Sequence, residues 1–431
     1  MADGPPMTDS SAAARTRLLR RLVLAGPLAA LLLATLSALG TPVQSASARG
    51  WLPPRTGGES VQPSQPDKIS ASEFARLVRE FSEEGGYFRS DNFTSNETSY
   101  LHVVSKLRQL GASGGAYIGV GPEQNFTYIA KVRPRIAFIV DIRRQAMIQH
   151  LMFKAVFHLA SDRAQYLSLL LSRPPPKENR KENGKETEKE REKVPAPGAS
   201  IGDILAYIGR LEPDDKAYEA NLAAIRKTIR EEFQVQLGDA DQASLDYIYR
   251  SFRAEGLGIA YRMEGMTSLG WFPTMQELIL QPDQFGKLGN FLAAKDDYDF
   301  VRDMQRRNMI IPVVGDFAGR KALASIGDYL RKTGFTVTAF YTSNVEQYLF
   351  QGGVFPIFVD NVRKLPISGR SLFIRGVPNI RFSHPARVSG HMITTLLQHM
   401  SVFLKDVDEG AYQSYTDLVT THYIAGEGPP Q

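Results

Sequence analysis

The chain has 431 residues, of which 43% are hydrophobic and 10% aromatic, enough to fill the core of one large domain or two medium ones. Its 51 basic residues against 46 acidic ones leave a net charge of +5, partly contributed by arginines near the N-terminus, and this small excess points to no nucleic-acid partner. The absence of cysteine excludes disulfides, thiolate zinc sites and a cysteine nucleophile.

Arg15, Arg17, Arg20 and Arg21 precede an apolar run from Leu22 to Leu39, and Ala46-Ser47-Ala48 offers a small-residue cleavage site. Residues 1–48 therefore read as a signal peptide or, uncleaved, as a membrane anchor, although Gly26 and Pro27 weaken the run as a spanning helix. Under the positive-inside rule both readings put the body outside the inner membrane, periplasmic or anchored, with the membrane met only through this segment. Residues 49–68, rich in Pro, Gly and Ser, form a flexible tether.

The folded part is expected over residues 69–405. Ser70 and Glu73 are spaced as a capping box, Ile69 and Phe74 as a hydrophobic staple, and Phe74, Leu77, Val78 and Phe81 share one helical face. A second helix is expected from near Ser95 to Gly111. Ala116 to Gly119 is a short strand, Phe126 to Val132 a short helix, and Ile136 to Val140 a strand ending in Asp141; its unbroken hydrophobicity suits a strand buried on both faces. Together they make a βαβ unit, after which a long helix from about Arg143 to Leu171 returns across the sheet. Lys177 to Lys193 is almost wholly charged, and residues 174–200 read as a disordered insertion. Residues 201–305 are mainly helical, with one strand possible at Leu257 to Tyr261. The α/β rhythm then resumes with a strand at Met309 to Val314, a helix at Lys321 to Lys332, strands at Thr336 to Tyr341 and Ser371 to Ile374, and a helix at Ile393 to Leu404; residues 406–431 form a tail. The fold class is α/β, Rossmann-like, with a mostly parallel sheet, helices on both faces and a mainly helical insertion.

In such sheets ligands bind outside the carboxyl ends of the strands, where loops and helix N-termini converge. The predicted strand ends hold Gly119 and Gly121, then Asp141, Asp316, and Ser343, Asn344 and Glu346. Gly119 and Gly121 allow a tight turn and close approach of a ligand, and Asp141 is spaced to accept hydrogen bonds from a ribose, which suits a small nucleoside-like ligand. The third glycine of a dinucleotide fingerprint is missing, with Gln124 in its place. The bland alternatives stay open: the glycines serve only the turn, and Asp141 and Asp316 cap the helices that follow. His150 and His158, like His391 and His399, are two helical turns apart, too far to share a metal, and no metal site or catalytic set is assigned.

The run Gly115-Ala116-Tyr117-Ile118-Gly119-Val120-Gly121-Pro122, followed by Ile139-Val140-Asp141, resembles the first two motifs of class I S-adenosylmethionine (SAM) dependent methyltransferases. With Ser95-Asn96-Glu97, Val314-Gly315-Asp316-Phe317 and Phe340-Tyr341-Thr342-Ser343-Asn344-Val345-Glu346, the whole resembles a family of uncharacterised bacterial proteins with a methyltransferase-like fold. The resemblance implies SAM as a cofactor, with Gly119 and Gly121 at its methionine part and Asp141 at its ribose. Asp316, Asn344 and Glu346 complete the candidate cofactor-binding set. Two departures from the methyltransferase pattern are Ala116-Tyr117, where an acidic residue is usual, and Pro122. SAM is kept in the cytosol, so export and methyl transfer conflict. The second function class is an exported, non-catalytic ligand-binding or interaction protein that reuses the fold.

Overall fold

Continuous apolar runs set the architecture, because only strands covered on both faces can do without polar alternation. The computed structural model describes residues 65–174, 195–196, 198–265, 270–380 and 382–427. Helix α1 (Ala71–Phe81) starts at Ser70, whose hydroxyl accepts the Glu73 N–H, and buries Phe74, Leu77, Val78 and Phe81. Only this half of the expected capping box forms, since the Glu73 carboxylate turns to Arg76 instead. A two-residue strand, β1 (Ser90–Asp91), precedes α2 (Val104–Gln109). The helix expected from Ser95 is thus shorter and later, because Ser95 and Glu97 are drawn inward by Gln124.

The βαβ unit forms as expected: β2 (Ala116–Gly119), α3 (Gln124–Val132) and β3 (Ile136–Asp141), with the two strands parallel and wholly buried. The long return helix is instead two, α4 (Arg144–Leu159) and α5 (Arg163–Leu170). The Asp162 carboxylate accepts the Gln165 N–H at 2.9 Å and starts a new helix there. Buried without interruption from Ala146 to Phe157, α4 is a central helix with no solvent face over that span.

The helical region holds α6 (Ile201–Ile208), α7 (Asp215–Lys227), α8 (Asp239–Glu255), α9 (Met275–Leu280) and α10 (Lys295–Arg306). No strand forms at Leu257 to Tyr261: Gly256, at φ +56°, turns the chain into a 3-10 turn, and β4 (Arg262–Met263) follows and pairs with β1. Then come β5 (Ile310–Val314), α11 (Ala322–Lys332), β6 (Val337–Ser343), α12 (Val345–Gln351), α13 (Phe355–Arg363) and β7 (Leu372–Pro378). The helix expected over Ile393 to Leu404 is mostly strand. β8 (Ile393–His399) pairs antiparallel along the full length of β7, and α14 (Met400–Asp408) begins only after it. Nor do residues 406–427 trail as a tail, since α15 (Tyr415–Thr420) packs on the body and β9 (Ile424–Ala425) joins the sheet.

The sheet order is β5-β3-β2-β6-β7-β8-β9, parallel through β7 and antiparallel thereafter. From β2 the chain winds outward through β3 to β5, then returns to β6 on the other side of β2, so the topological switch point lies between β2 and β6. This is a Rossmann-like α/β fold. At one edge β5 carries Pro312, and the Val314 N–H and carbonyl are met by the Ser82 hydroxyl at 3.0 Å and the Glu83 N–H at 2.8 Å. The described residues belong to one compact unit, and no helix among them is long and apolar enough to cross a membrane. The apolar run Leu22 to Leu39 and the charged stretch Lys177 to Lys193 lie outside the described residues.

Candidate functional site

The glycine loop after β2 is held from the inside. Gly119 pairs with Tyr341 of β6, and a Cβ added to it would lie 2.0 Å from Asn125 Oδ1. Gly119 is therefore a packing glycine that makes room for Asn125. From there Asn125 Nδ2 donates to the carbonyls of Val120, Gly121 and Pro122 at 2.9, 3.1 and 2.8 Å, while its Oδ1 accepts from the Tyr117 hydroxyl at 2.9 Å. His150 reaches the same loop: its Nε2 donates to the Gly121 carbonyl at 2.8 Å, and burial lowers the imidazole to about 4 and keeps it neutral. Gly121 has a different reason to be glycine, since it sits at φ +80° with nothing within 4 Å of an added Cβ.

Two of the expected ligand carboxylates are already engaged by arginine. Asp141, at the end of β3, accepts from Arg143 Nε at 3.1 Å and Nη2 at 2.9 Å, and also takes the Arg143 N–H at 2.9 Å in a local turn. A ribose would have to displace Arg143, so the side chain does not fit the free ribose acceptor that the resemblance implies. Glu346, on α12, is fully buried and accepts from Arg375 Nε at 2.7 Å, Arg375 Nη2 at 3.0 Å and Thr342 Oγ1 at 3.1 Å. It is a structural anchor rather than a crevice residue. Asp316 accepts the Ala318 N–H at 2.8 Å and does not cap α11, whose first N–H groups go to Glu83. Asn344 begins α12 without a side-chain cap. The expected set is therefore dispersed along the strand ends, with Gly119, Gly121 and Asn344 at the switch point and Asp141, Asp316 and Glu346 engaged elsewhere.

What the switch point does gather is a group of polar side chains on buried backbone. Glu97 is fully buried, and no lysine or arginine meets it among the described residues. The Ser343 hydroxyl donates to Glu97 Oε1 at 2.5 Å, and Gln124 Nε2 donates to Glu97 Oε2 at 3.3 Å and to the Tyr341 hydroxyl at 3.0 Å. Burial raises the Glu97 carboxyl above the usual range, against the hydrogen bonds that lower it. Glu123, at the entry to α3, accepts the Ser95 N–H at 3.2 Å through Oε1, while its Oε2 is buried without a partner; burial raises this carboxyl to about 7. Sequence reasoning has Glu97 only within the Ser95-Asn96-Glu97 motif at the start of an expected helix, and does not single out Glu123. The usable signal was Glu123-Gln124, two polar residues opening a helix that the apolar strands around it require to be buried.

Beside the end of β3 lies a cleft of about 540 Å³, lined by Ser90, Asp91, Arg143, Gln145, Tyr247 and Arg262 among others. The Tyr247 hydroxyl donates to Asp91 at 2.7 Å and Gln145 Nε2 donates to it at 3.0 Å, and the Tyr247 side chain is 44% exposed. Its arginines are not free charges: Arg143 pairs with Asp141, Arg144 with Asp241 and Arg262 with Glu255. A smaller hollow of about 290 Å³, between Arg163 and α10, includes no strand-end residue. No curated protein matches the chain. Residues 92–196 and 199–427, which include every strand of the main sheet, match a family described as Domain of unknown function (DUF7790), and the chain belongs to that family.

Proposed function

We propose that the chain binds a small nucleoside-containing ligand in the cleft beside the carboxyl end of β3. One observation carries this reading: a hollow of about 540 Å³, a size suited to a small organic ligand, lies beside the carboxyl end of β3 in a Rossmann-like sheet. Tyr247 offers an exposed ring on which a base stacks, and Asp91 a carboxylate for sugar hydroxyls. Asp91, whose hydrogen bonds come from the neutral Tyr247 and Gln145 rather than from an arginine, takes the ribose role that the methyltransferase resemblance gives to Asp141. SAM is one ligand of this class. No methyl-transfer step follows from these residues, and the second reading is an exported binding protein that keeps the crevice without that chemistry.

Calorimetry on the full chain with SAM, S-adenosylhomocysteine, adenosine and NAD tests the cleft. Binding of at least one is expected, weakened by about 1–3 kcal/mol in Tyr247→Ala through lost stacking and by about 1.5–3 kcal/mol in Asp91→Ala. No heat from any of the four rejects the reading, and binding unchanged in both variants puts the ligand elsewhere. Export is tested separately: an envelope-bound chain whose N-terminus reads from near Arg49 supports it, whereas a soluble cytosolic chain retaining Leu22 to Leu39 overturns it.

A further inference from the structure

We infer that Ser343 is a nucleophile and Glu97 its general base, and that this pair at the switch point carries out acyl transfer from small carboxylic esters to water. The inference stands apart from the nucleoside reading and uses none of its residues.

Ser343 is the last residue of β6, followed by Asn344 and then α12, so it occupies the sharp strand-to-helix turn at the topological switch point. Its backbone is left-handed, at φ +52°, a conformation that L side chains resist and that persists where surrounding structure enforces it. A strand-to-helix turn of this strained kind lifts a serine hydroxyl above a sheet in hydrolytic enzymes. Four other serines among the described residues hydrogen-bond carboxylates, Ser105 to Glu427 at 2.8 Å, Ser161 to Asp162 at 3.0 Å, Ser200 to Asp203 at 2.7 Å and Ser414 to Asp417 at 3.0 Å, and none of them is left-handed. Ser200 and Ser414 are helix caps in relaxed extended backbone, at φ −62° and −148°. The remaining left-handed serine, Ser172, follows the C-terminus of α5, where such a conformation commonly ends a helix. Among the described residues, Ser343 alone combines the strained turn with a buried carboxylate.

The base is held as a general base needs to be. Glu97 Oε1 accepts the Ser343 hydroxyl at 2.5 Å, and Oε2 is fixed by Gln124 Nε2, itself bonded to the Tyr341 hydroxyl. On the remaining side the carboxylate lies against Gly376, where a Cβ would come within 2.5 Å of Oε1, so β7 leaves room for it only by having no side chain there. Ser343 is partly exposed while Glu97 is fully buried, which leaves the hydroxyl within reach of a substrate and keeps bulk water from the base. Burial also makes the carboxylate a stronger base than one in water.

The chemistry balances with water as the only co-reactant. Ser343 Oγ forms a bond to the ester carbonyl carbon while Glu97 takes its proton; the bond to the leaving alkoxide breaks and the alkoxide departs with that proton as the alcohol. Water then adds to the acyl-serine, again giving its proton to Glu97, and the serine leaves as the acid is released, recovering its proton from Glu97.

The test uses the full chain with a fluorophosphonate probe, which phosphonylates activated serines with loss of fluoride, and with p-nitrophenyl acetate as the ester. Peptide mapping is expected to place the label on Ser343 and to find none in Ser343→Gly, a variant that accepts the left-handed backbone. Glu97→Gln, which keeps the shape but cannot take a proton, should lose about 100-fold or more of ester hydrolysis and the rise of kcat/KM with pH. A wild-type chain that neither labels nor turns over the ester above buffer overturns the inference. So does a label that survives in Ser343→Gly, or a Glu97→Gln chain that hydrolyses as fast as wild type.

Discussion

Two sets of buried carboxylates stand at the same end of the same sheet, and they differ in one respect. Asp141 and Glu346 each receive a two-pronged arginine, Arg143 and Arg375. Glu97 and Glu123 face hydroxyl, amide and backbone N–H groups with no arginine or lysine among the described residues. Each carboxylate of the first set has a cation within hydrogen-bond reach, and neither of the second has one among the described residues. The outer set locks strands and loops in place, while the inner set, around the glycine loop, holds its protons more tightly than an exposed carboxyl would. Chemistry is expected where the cation is missing.

The sharpest way to break this contrast is to remove an anion from the outer set. Glu346→Ala leaves Arg375 buried and unpaired and should cost about 3–5 kcal/mol, read as a fall in the urea midpoint, whereas replacing both partners by Leu and Met should be close to neutral or stabilising. A cost below about 1 kcal/mol for the single change would mean that the pair does no anchoring.

Lys154 is the cationic counterpart of the inner set. It is fully buried between the rings of Phe74 and Phe233, its amine bonded to the Gln305 carbonyl, and burial lowers it from 10.5 to about 7. Between those values the folded chain is neutral there while the unfolded chain stays protonated. Stability should therefore rise with pH from about 7 to 10.5, by at most about 1.4 kcal/mol per pH unit, and Lys154→Met should flatten the rise.

Glu123 predicts the opposite slope lower on the scale. With its carboxyl raised from 4.5 to about 7, the folded state keeps a proton that the unfolded state has lost. Its contribution is fully present below 4.5 and is lost as pH rises through about 7, so Glu123→Gln should remove a downward slope across that interval. Denaturant melts at half-unit pH steps on both variants give the two slopes. The smallest effect belongs to the loop itself: Gly121→Ala should cost about 1–2 kcal/mol of backbone strain without any clash, seen as a modest drop in melting temperature.

The central strands were legible because their hydrophobicity is unbroken: Ala116 to Gly119 and Ile136 to Asp141 admit few other readings. β8 was not, because it buries Thr394, Thr395 and Gln398 beside its apolar residues, and that mixture has no clean period of two. The break between α4 and α5 carries no glycine or proline, only the capping Asp162. At the site, the strand ends named Ser343, but its partner Glu97 lies 246 residues away in the chain, joined to it only by the tertiary fold. Arg143 stood two residues from Asp141 in plain view, yet its pairing depends on the extended backbone at the start of α4, which composition does not reveal.

Pro312 has a consequence outside the crevice. An outermost strand with free N–H and carbonyl groups is a template on which another polypeptide can add a strand, the first step toward fibrillar assembly. In β5 proline removes one donor, and the segment after α1 occupies both polar groups of Val314. At the opposite border β9 offers only two residues to pair with. Among the described residues, the β5 margin and the two-residue β9 are therefore poor templates for adding a strand from another chain.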